Sequence, residues 1–242
     1  VALLLAFASS AAAQFGPDGW WSETIAVNSD PRGSATIEGG TYTITGDGHD
    51  IWDTADDFHY LYKELVGDGS MTARVVSNGT GSNNWAKGGV MIRNNNTRGS
   101  ADAYMVITGS EGNGAGFQWR DSQGAGAAWG GAGPSTAVAP PYWVRLERQG
   151  DVFSGWLSPD GTDWTQLQSD HTVVMEDPVL IGLCVTSHTT GELRTFVFDN
   201  VSWTGDVRDR PPQLTAWNPD PPDEDVPLTL EANPIRRGHG CR

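Results

Sequence analysis

The sequence predicts an all-β protein built as a sandwich of two antiparallel sheets. Short runs with two-residue alternation recur roughly every 8–12 residues, the interval expected of such sandwiches. Glycine accounts for 31 of 242 residues and separates these runs, while helix-forming stretches are few. Eleven tryptophans supply rings suited to a pleated, half-buried surface.

The chain begins Val1-Ala2-Leu3-Leu4-Leu5-Ala6-Phe7 and continues in small residues to Ala13. An apolar core followed by an A-x-A site, too short to span a bilayer, reads as the end (1–13) of a secretory signal peptide. The protein is therefore expected to be secreted, extracellular or at the cell surface, without membrane insertion. The lack of an initiating Met and of a basic leader marks it, in this reading, as a fragment of a longer reading frame.

From Trp20 a run alternates through Trp21, Thr24, Ile25 and Val27, breaks at Asp30-Pro31-Arg32-Gly33 and resumes from Ala35 to Glu38. Gly39-Gly40 then predicts a two-residue hairpin into Thr41 to Thr45. The loop GDGHDIWDTADD, Gly46 to Asp57, is rich in carboxylates. Asp47, Asp50 and Asp53 are candidate ligands for a structural calcium, which takes six to eight oxygens; the spacing of an EF-hand and its closing Glu are absent, so a solvated acidic loop competes with that reading. Phe58 to Leu65 sets Phe58, Tyr60 and Tyr62 against His59, Leu61 and Lys63, and is expected to turn at Gly67-Asp68-Gly69 into a hairpin with Met71 to Ser77. His59 has no second histidine at ligand spacing and reads as a strand residue.

Trp85 to Arg93, WAKGGVMIR, is the expected inner strand. Alternation places Val90 and Ile92 on one face and Met91 and Arg93 on the other, so Arg93 reaches solvent or a groove, or must find a carboxylate. Ala101 to Thr108 and Gly114 to Arg120 form a further pair. Trp129, in the Gly/Ala-rich segment 124–133, either plugs the core or stands exposed. Pro140-Pro141 delivers Tyr142 to Gln149, Gly150-Asp151 turns into Val152 to Ser158, and Pro159-Asp160-Gly161 leads to Trp164 to Gln168. Val179 to Thr186 is nearly all apolar and reads as buried on both faces. Leu193 to Trp203 is the last strand, interrupted at Asp199-Asn200. The predicted core comprises Val90, Ile92, Val106, Phe117, Val144, Leu146, Ile181, Leu183, Val197 and Val201.

Beyond this sandwich, placed at 20–204, residues 205–234 read as a Pro/Asp-rich linker to a further domain of the same longer chain, and 235–242 as an irregular tail. Cys184 reads as a small buried apolar residue; with Cys241 near the end, no disulfide framework is expected. Thirty acidic residues against 15 basic ones give a formal charge of −15, which repels phosphate backbones and excludes nucleic acid as the expected partner.

Five motifs in order, DIW-x-x-x-D-x-F at Asp50 to Phe58, WAKGGVMIR, PYWVRLER at Pro141 to Arg148, SPDGTDWTQ at Ser158 to Gln166 and FDNVSW at Phe198 to Trp203, resemble the concanavalin A-like, LamG-type jelly-roll domains of secreted bacterial proteins. The resemblance is to those related to the regulation-of-enolase type and to the C-terminal sandwich of some β-xylosidases. It implies a two-sheet antiparallel jelly roll with a non-catalytic, glycan-binding accessory role.

A retaining glucanase of this fold is expected to carry paired carboxylates on one strand, in an E-x-D-x-x-E run. None occurs: Glu64, Glu147 and Glu192 are isolated, and G-x-S-x-G, H-E-x-x-H and P-loop patterns are absent. The first reading is thus a polysaccharide-binding module that uses Trp52, Tyr60, Tyr62, Trp85, Trp119 and Trp129 as stacking rings, with Asn84, Lys87, Arg93 and Arg120 as polar partners. The alternatives are a structural or protein-interaction module of a cell-surface array, and a glycoside hydrolase or polysaccharide lyase whose residues converge from separate strands.

Overall fold

The computed structural model describes residues 14–26, 32–130 and 137–209. The signal-peptide end, the linker beyond residue 209 and the tail with Cys241 lie outside the described residues. In chain order the strands are β1 (Gln14–Phe15), β2 (Trp21–Ile25), β3 (Gly33–Glu38), β4 (Thr41–Gly46), β5 (Ile51–Trp52), β6 (Ala55–Asp56), β7 (Phe58–Ser77), β8 (Lys87–Arg93) and β9 (Asp102–Thr108). They continue with β10 (Ala115–Arg120), β11 (Ala128–Gly130), β12 (Tyr142–Gln149), β13 (Val152–Ser158), β14 (Thr165–Gln166), β15 (His171–Thr172), β16 (Val179–Thr186) and β17 (Arg194–Arg208). All their pairings are antiparallel.

Two layers share β7. Its first half, up to Leu65, pairs with β16 on one edge and β2 on the other, and β8, β9, β10 and β11 continue beyond β16. Its second half, from Gly69, pairs with β12 and β17, which lead to β13 and β14 and to β4 and β3. The hairpin expected at Gly67-Asp68-Gly69 is therefore corrected to one bent strand of 20 residues. Gly67 takes a left-handed φ of 69°, and Gly69 lies so close to Thr204 that an added Cβ would stand 2.5 Å from its carbonyl oxygen. The two halves bond to other strands instead of each other, so the glycines serve a corner and not a reversal.

The main core lies between the layers. Val90, Ile92, Phe117, Val144, Leu146, Ile181 and Leu183 are in it as expected, joined by Leu61, Met71, Val75, Met105 and Phe153. On β17 the buried rings are Phe196 and Phe198, while Val197 and Val201 are only partly buried. Alternation on that strand is one residue out of phase with the expectation at Val197, and the register then shifts again between Asp199 and Ser202, where Asn200 adopts φ 49°. β17 also runs four residues past Thr204, to Arg208.

A second apolar cluster covers the outer face of the first layer. Ile25, Phe58, Tyr60, Tyr62, Met91, Tyr104, Val106 and Cys184 pack there under Ile51, with Trp129 and Trp21 at its margin. Val106 belongs to this cluster, not to the main core. The aromatic alternation of Phe58, Tyr60 and Tyr62 does occupy one face, but the loop at 47–57 closes over it, which is why β8 and β9 are buried along their whole length.

Candidate functional site

Strand register aligns the outer face of the first layer into rows. Gln118, Tyr104, Met91, Gly182 and Tyr62 form one row, and Gly116, Val106, Gly89, Cys184 and Tyr60 the next. Thr108, Lys87 and Thr186 follow on one side, and Arg120, Asp102 and Arg93 on the other. The loop carrying β5 and β6 is fastened across these rows by polar groups that the strands present beneath it.

Asp56 is the central staple. Arg120 Nη1 donates to its Oδ2 at 2.8 Å and to Asp102 Oδ2 at 2.7 Å, and Arg93 Nη2 donates to Asp56 Oδ2 at 3.3 Å. All four side chains are buried. Arg93 and Arg120 also donate to backbone carbonyls, at Asn95, Thr97 and Ser100, and Gln118 Nε2 donates to the Ile51 carbonyl at 2.6 Å. Two guanidinium groups against two carboxylates balance a charge that would be costly uncompensated. Burial, with Asp56 nearby, raises the Asp102 carboxyl to about 7 against the pull of Arg120 and Arg93.

Four of the residues expected to meet a ligand are thereby corrected. Arg93 and Arg120 are fully enclosed ion-pair partners, and Arg93 has found the carboxylate that its position demanded. Tyr60 and Tyr62 are core rings whose hydroxyls donate to the Met91 carbonyl at 3.0 Å and to Glu23 Oε2 at 3.1 Å. Trp119 faces the other way, toward Phe117 and the main core, with its ring stacked 4.0 Å from His171.

The remaining candidates, Trp52, Asn84, Trp85, Lys87 and Trp129, gather at the rim of the loop. Lys87, buried at the start of β8, donates from Nζ to Asp50 Oδ1 at 2.6 Å and lies 5.3 Å from the centre of the Trp52 ring. Asp50 Oδ2 meets His188 Nε2 at 3.0 Å. Asn83 Nδ2 donates to the His188 carbonyl at 2.9 Å, and Asn83 Oδ1 accepts from the Trp85 backbone N–H at 2.9 Å. One network therefore joins Lys87 to the backbone of Trp85. The Trp85 ring, 42 % exposed, meets the Trp129 ring edge-on at 6.2 Å. Asn84 is exposed beside it.

Trp129 neither plugs the core nor stands free. It lies flat on Gly116 of β10, where an added Cβ would come within 1.9 Å of its Cζ2. Glycine there makes the seat for the ring.

His188 and His49, stacked at 6.0 Å, were not among the expected residues. His188 has φ 59°, a conformation uncommon for a side-chain-bearing residue and enriched at functional sites. Its signal in the sequence is faint, a histidine after Ser187 in a turn. The bond to Asp50 raises the His188 pKa; burial would raise Asp50, but His188 and Lys87 hold it low, and burial lowers Lys87 against the opposing field of Asp50.

The proposed calcium ligands do not fit one ion. Asp47 Oδ2 accepts from Arg32 Nε and Nη2 at 3.1 and 3.0 Å, and its Oδ1 from the N–H groups of Gly48 and Gly191 at 2.6 and 2.9 Å. Asp50 is held by Lys87 and His188, and Asp53 is exposed at a left-handed turn of φ 47°. Among the described residues no group of three or more His, Cys, Asp or Glu side chains is placed to hold a metal. No helix among them is long and apolar enough to cross a membrane.

Solved structures share the fold. The carbohydrate-binding module CBM66 from Bacillus subtilis superposes with a TM-score of 0.51 at 16 % identity, over 77 % of this chain and 96 % of that one. The fold is a jelly-roll sandwich. A functionally unknown protein from Saccharomyces cerevisiae is similar with a TM-score of 0.56 at 20 % identity, over 73 % and 97 % of the two chains. The GH43 protein BlXynB from Bacillus licheniformis gives 0.52 at 11 % identity, and there the match spans only 38 % of the larger chain. No family model matches the sequence. No curated protein does either. At these identities the likeness concerns the fold.

Proposed function

We propose that this jelly-roll domain is a secreted, non-catalytic carbohydrate-binding module that serves as an accessory part of a larger extracellular protein. The observation that carries the reading is the Trp85–Trp129 pair at the rim of the loop, with Trp85 exposed to solvent. A sugar ring lays its C–H face on indole, and Asn84 and His188 supply nearby polar groups, while Lys87 is buried and held by Asp50. Covering half of a ring that buries about 200 Å² in full is worth at most about 2.5 kcal/mol at about 25 cal/mol/Å². Two such rings offset part of the cost of association and lead to binding near about 1 mM, useful to a module tethered on a polymer.

Affinity electrophoresis through gels containing laminarin, arabinoxylan, levan or alginate tests the reading. At least one polymer should retard the chain, and Trp85→Ala should raise the apparent Kd about tenfold with an unchanged urea midpoint. A chain that migrates identically in every gel is not a carbohydrate-binding module.

A further inference from the structure

The second layer presents its own outward face, on the opposite side of the main core from the Trp85 rim. Register again sets the rows: Asp199, Arg74, Trp143 and Ser158; Ser202, Thr72, Arg145, Trp156 and Gln166; Thr204, Ser70, Glu147 and Ser154. The inward neighbours on the same strands, Val144, Leu146, Phe153 and Leu157, already fill the core. Trp143, Trp156 and Trp164 are half-buried. A solvent-side sheet face does not need three indoles for its packing.

Two of the indoles are organised around one cation, and Trp143 lies against another, Arg74, at 6.0 Å. The Arg145 guanidinium lies 4.4 Å from the centre of the Trp164 ring and 5.4 Å from that of Trp156, and its Nε is 3.1 Å from Glu147 Oε1. Trp164 Nε1 donates to the Gly161 carbonyl at 3.2 Å, which fixes that ring. Beside this clamp runs an open groove of about 490 Å³, lined by Asp68, Ser70, Thr72, Arg145, Glu147 and Thr204 among others. That volume falls in the range of about 300–1,000 Å³ typical of small-ligand sites.

We propose that this groove is a second carbohydrate site, which takes a segment of a neutral polysaccharide. Its walls combine hydroxyls, two carboxylates and an oriented guanidinium, and the Trp156 and Trp164 indoles adjoin it through Arg145. Carboxylates accept from sugar hydroxyls, the guanidinium donates to sugar oxygens, and the rings cover C–H surface. The charge balance selects against a polyanion. Arg145 is matched by Glu147, Arg148, which also lines the groove, is matched by Asp177 at 2.6 Å, and Asp68 adds a further negative charge. The site stands independently of the Trp85 rim. With sites on both outer faces, the domain bridges two polymer chains.

Affinity electrophoresis of the whole chain in laminarin, arabinoxylan and levan, with alginate as the polyanionic comparison, separates the two faces. In a Trp85→Ala background, at least one neutral polymer still retards the chain, and adding Arg145→Ala with Glu147→Ala raises the apparent Kd at least tenfold. Thr72→Trp, which fills the groove and removes no charge, produces the same loss, while urea midpoints verify that both variants fold. If wild type and Trp85→Ala behave alike, the rim reading fails and the groove keeps its assignment. Retardation indifferent to both groove variants overturns the proposal, as does a Trp85→Ala chain that no neutral polymer retards, or retention by alginate alone. A concentration-dependent dimer lost in Thr72→Trp would instead assign the face to a second copy of this chain.

Discussion

His59 makes acidification destabilising in a way that one substitution isolates. It sits on β7, 3 % exposed, with Nε2 2.9 Å from Ser22 Oγ and Nδ1 2.8 Å from Thr24 Oγ1. Burial lowers its pKa from 6.5 to about 4, so the folded chain holds it neutral. Because the folded value lies below the unfolded one, its contribution to stability is intact above about pH 6.5 and is lost as the pH falls toward 4. With those two values the loss between pH 8 and pH 5 is about 2 kcal/mol, and it approaches about 3 kcal/mol in stronger acid. Asp102 acts in the opposite sense: its folded pKa of about 7 lies above the unfolded value, so the native state gains stability as it takes up a proton below pH 7. The stability curve of the native protein therefore sums opposing contributions. His59→Gln keeps a donor and an acceptor for the two hydroxyls and removes the titration. Urea unfolding of both proteins at pH 8 and pH 5 should show the variant gaining about 2 kcal/mol relative to wild type on acidification. A difference between the two that does not change with pH would refute a buried neutral imidazole.

Asp56→Ala leaves Arg93 and Arg120 buried without their shared carboxylate, and should cost about 3–5 kcal/mol by urea denaturation; a loss under about 1 kcal/mol would mean that the loop at 47–57 is not fastened through this network. Gly116→Ala drives a methyl group into the Trp129 ring, and should cost about 1–3 kcal/mol while shifting tryptophan fluorescence to the red; an unchanged spectrum would contradict the seat described for that ring. Since Asp47 and Asp50 are taken by protein donors, a chelator should leave the melting temperature unchanged; a fall of several degrees would reveal a calcium site that these carboxylates do not form.

The strands themselves were legible because alternation is a local property. Val90 and Ile92 against Met91 and Arg93 divide between the two apolar clusters as their order requires. What alternation does not encode is what lies above a face. Alternation puts Arg93 on the Met91 side of its strand and Tyr60 and Tyr62 on one face of theirs, yet that face is roofed by residues 47–57, and a roof is a long-range fact decided by ion pairs between Asp56 and strands 37 and 64 residues away. Gly67-Asp68-Gly69 misled for a related reason: glycine permits a reversal and a corner equally, and the choice rests with partners elsewhere in the chain. The rows carrying Trp143, Arg145 and Trp156 were readable from PYWVRLER and its hairpin partner; only the pairing of Arg145 with Trp156 across the hairpin gives them meaning.

The shared strand also bears on how the molecule comes apart. Since Tyr60 and Ala73 belong to one unbroken β7 but to different layers, melting either layer strips partners from a strand that the other still requires. The sandwich thus lacks the seam along which independently exchanging foldons separate. Amide protons on both halves of β7 should exchange through the same global opening. Most partners of this strand lie far along the chain, as Met71 does from Trp203 and Leu61 from Leu183, so the loops that must close before it is secured are long, and the domain should fold on the slow side for its size.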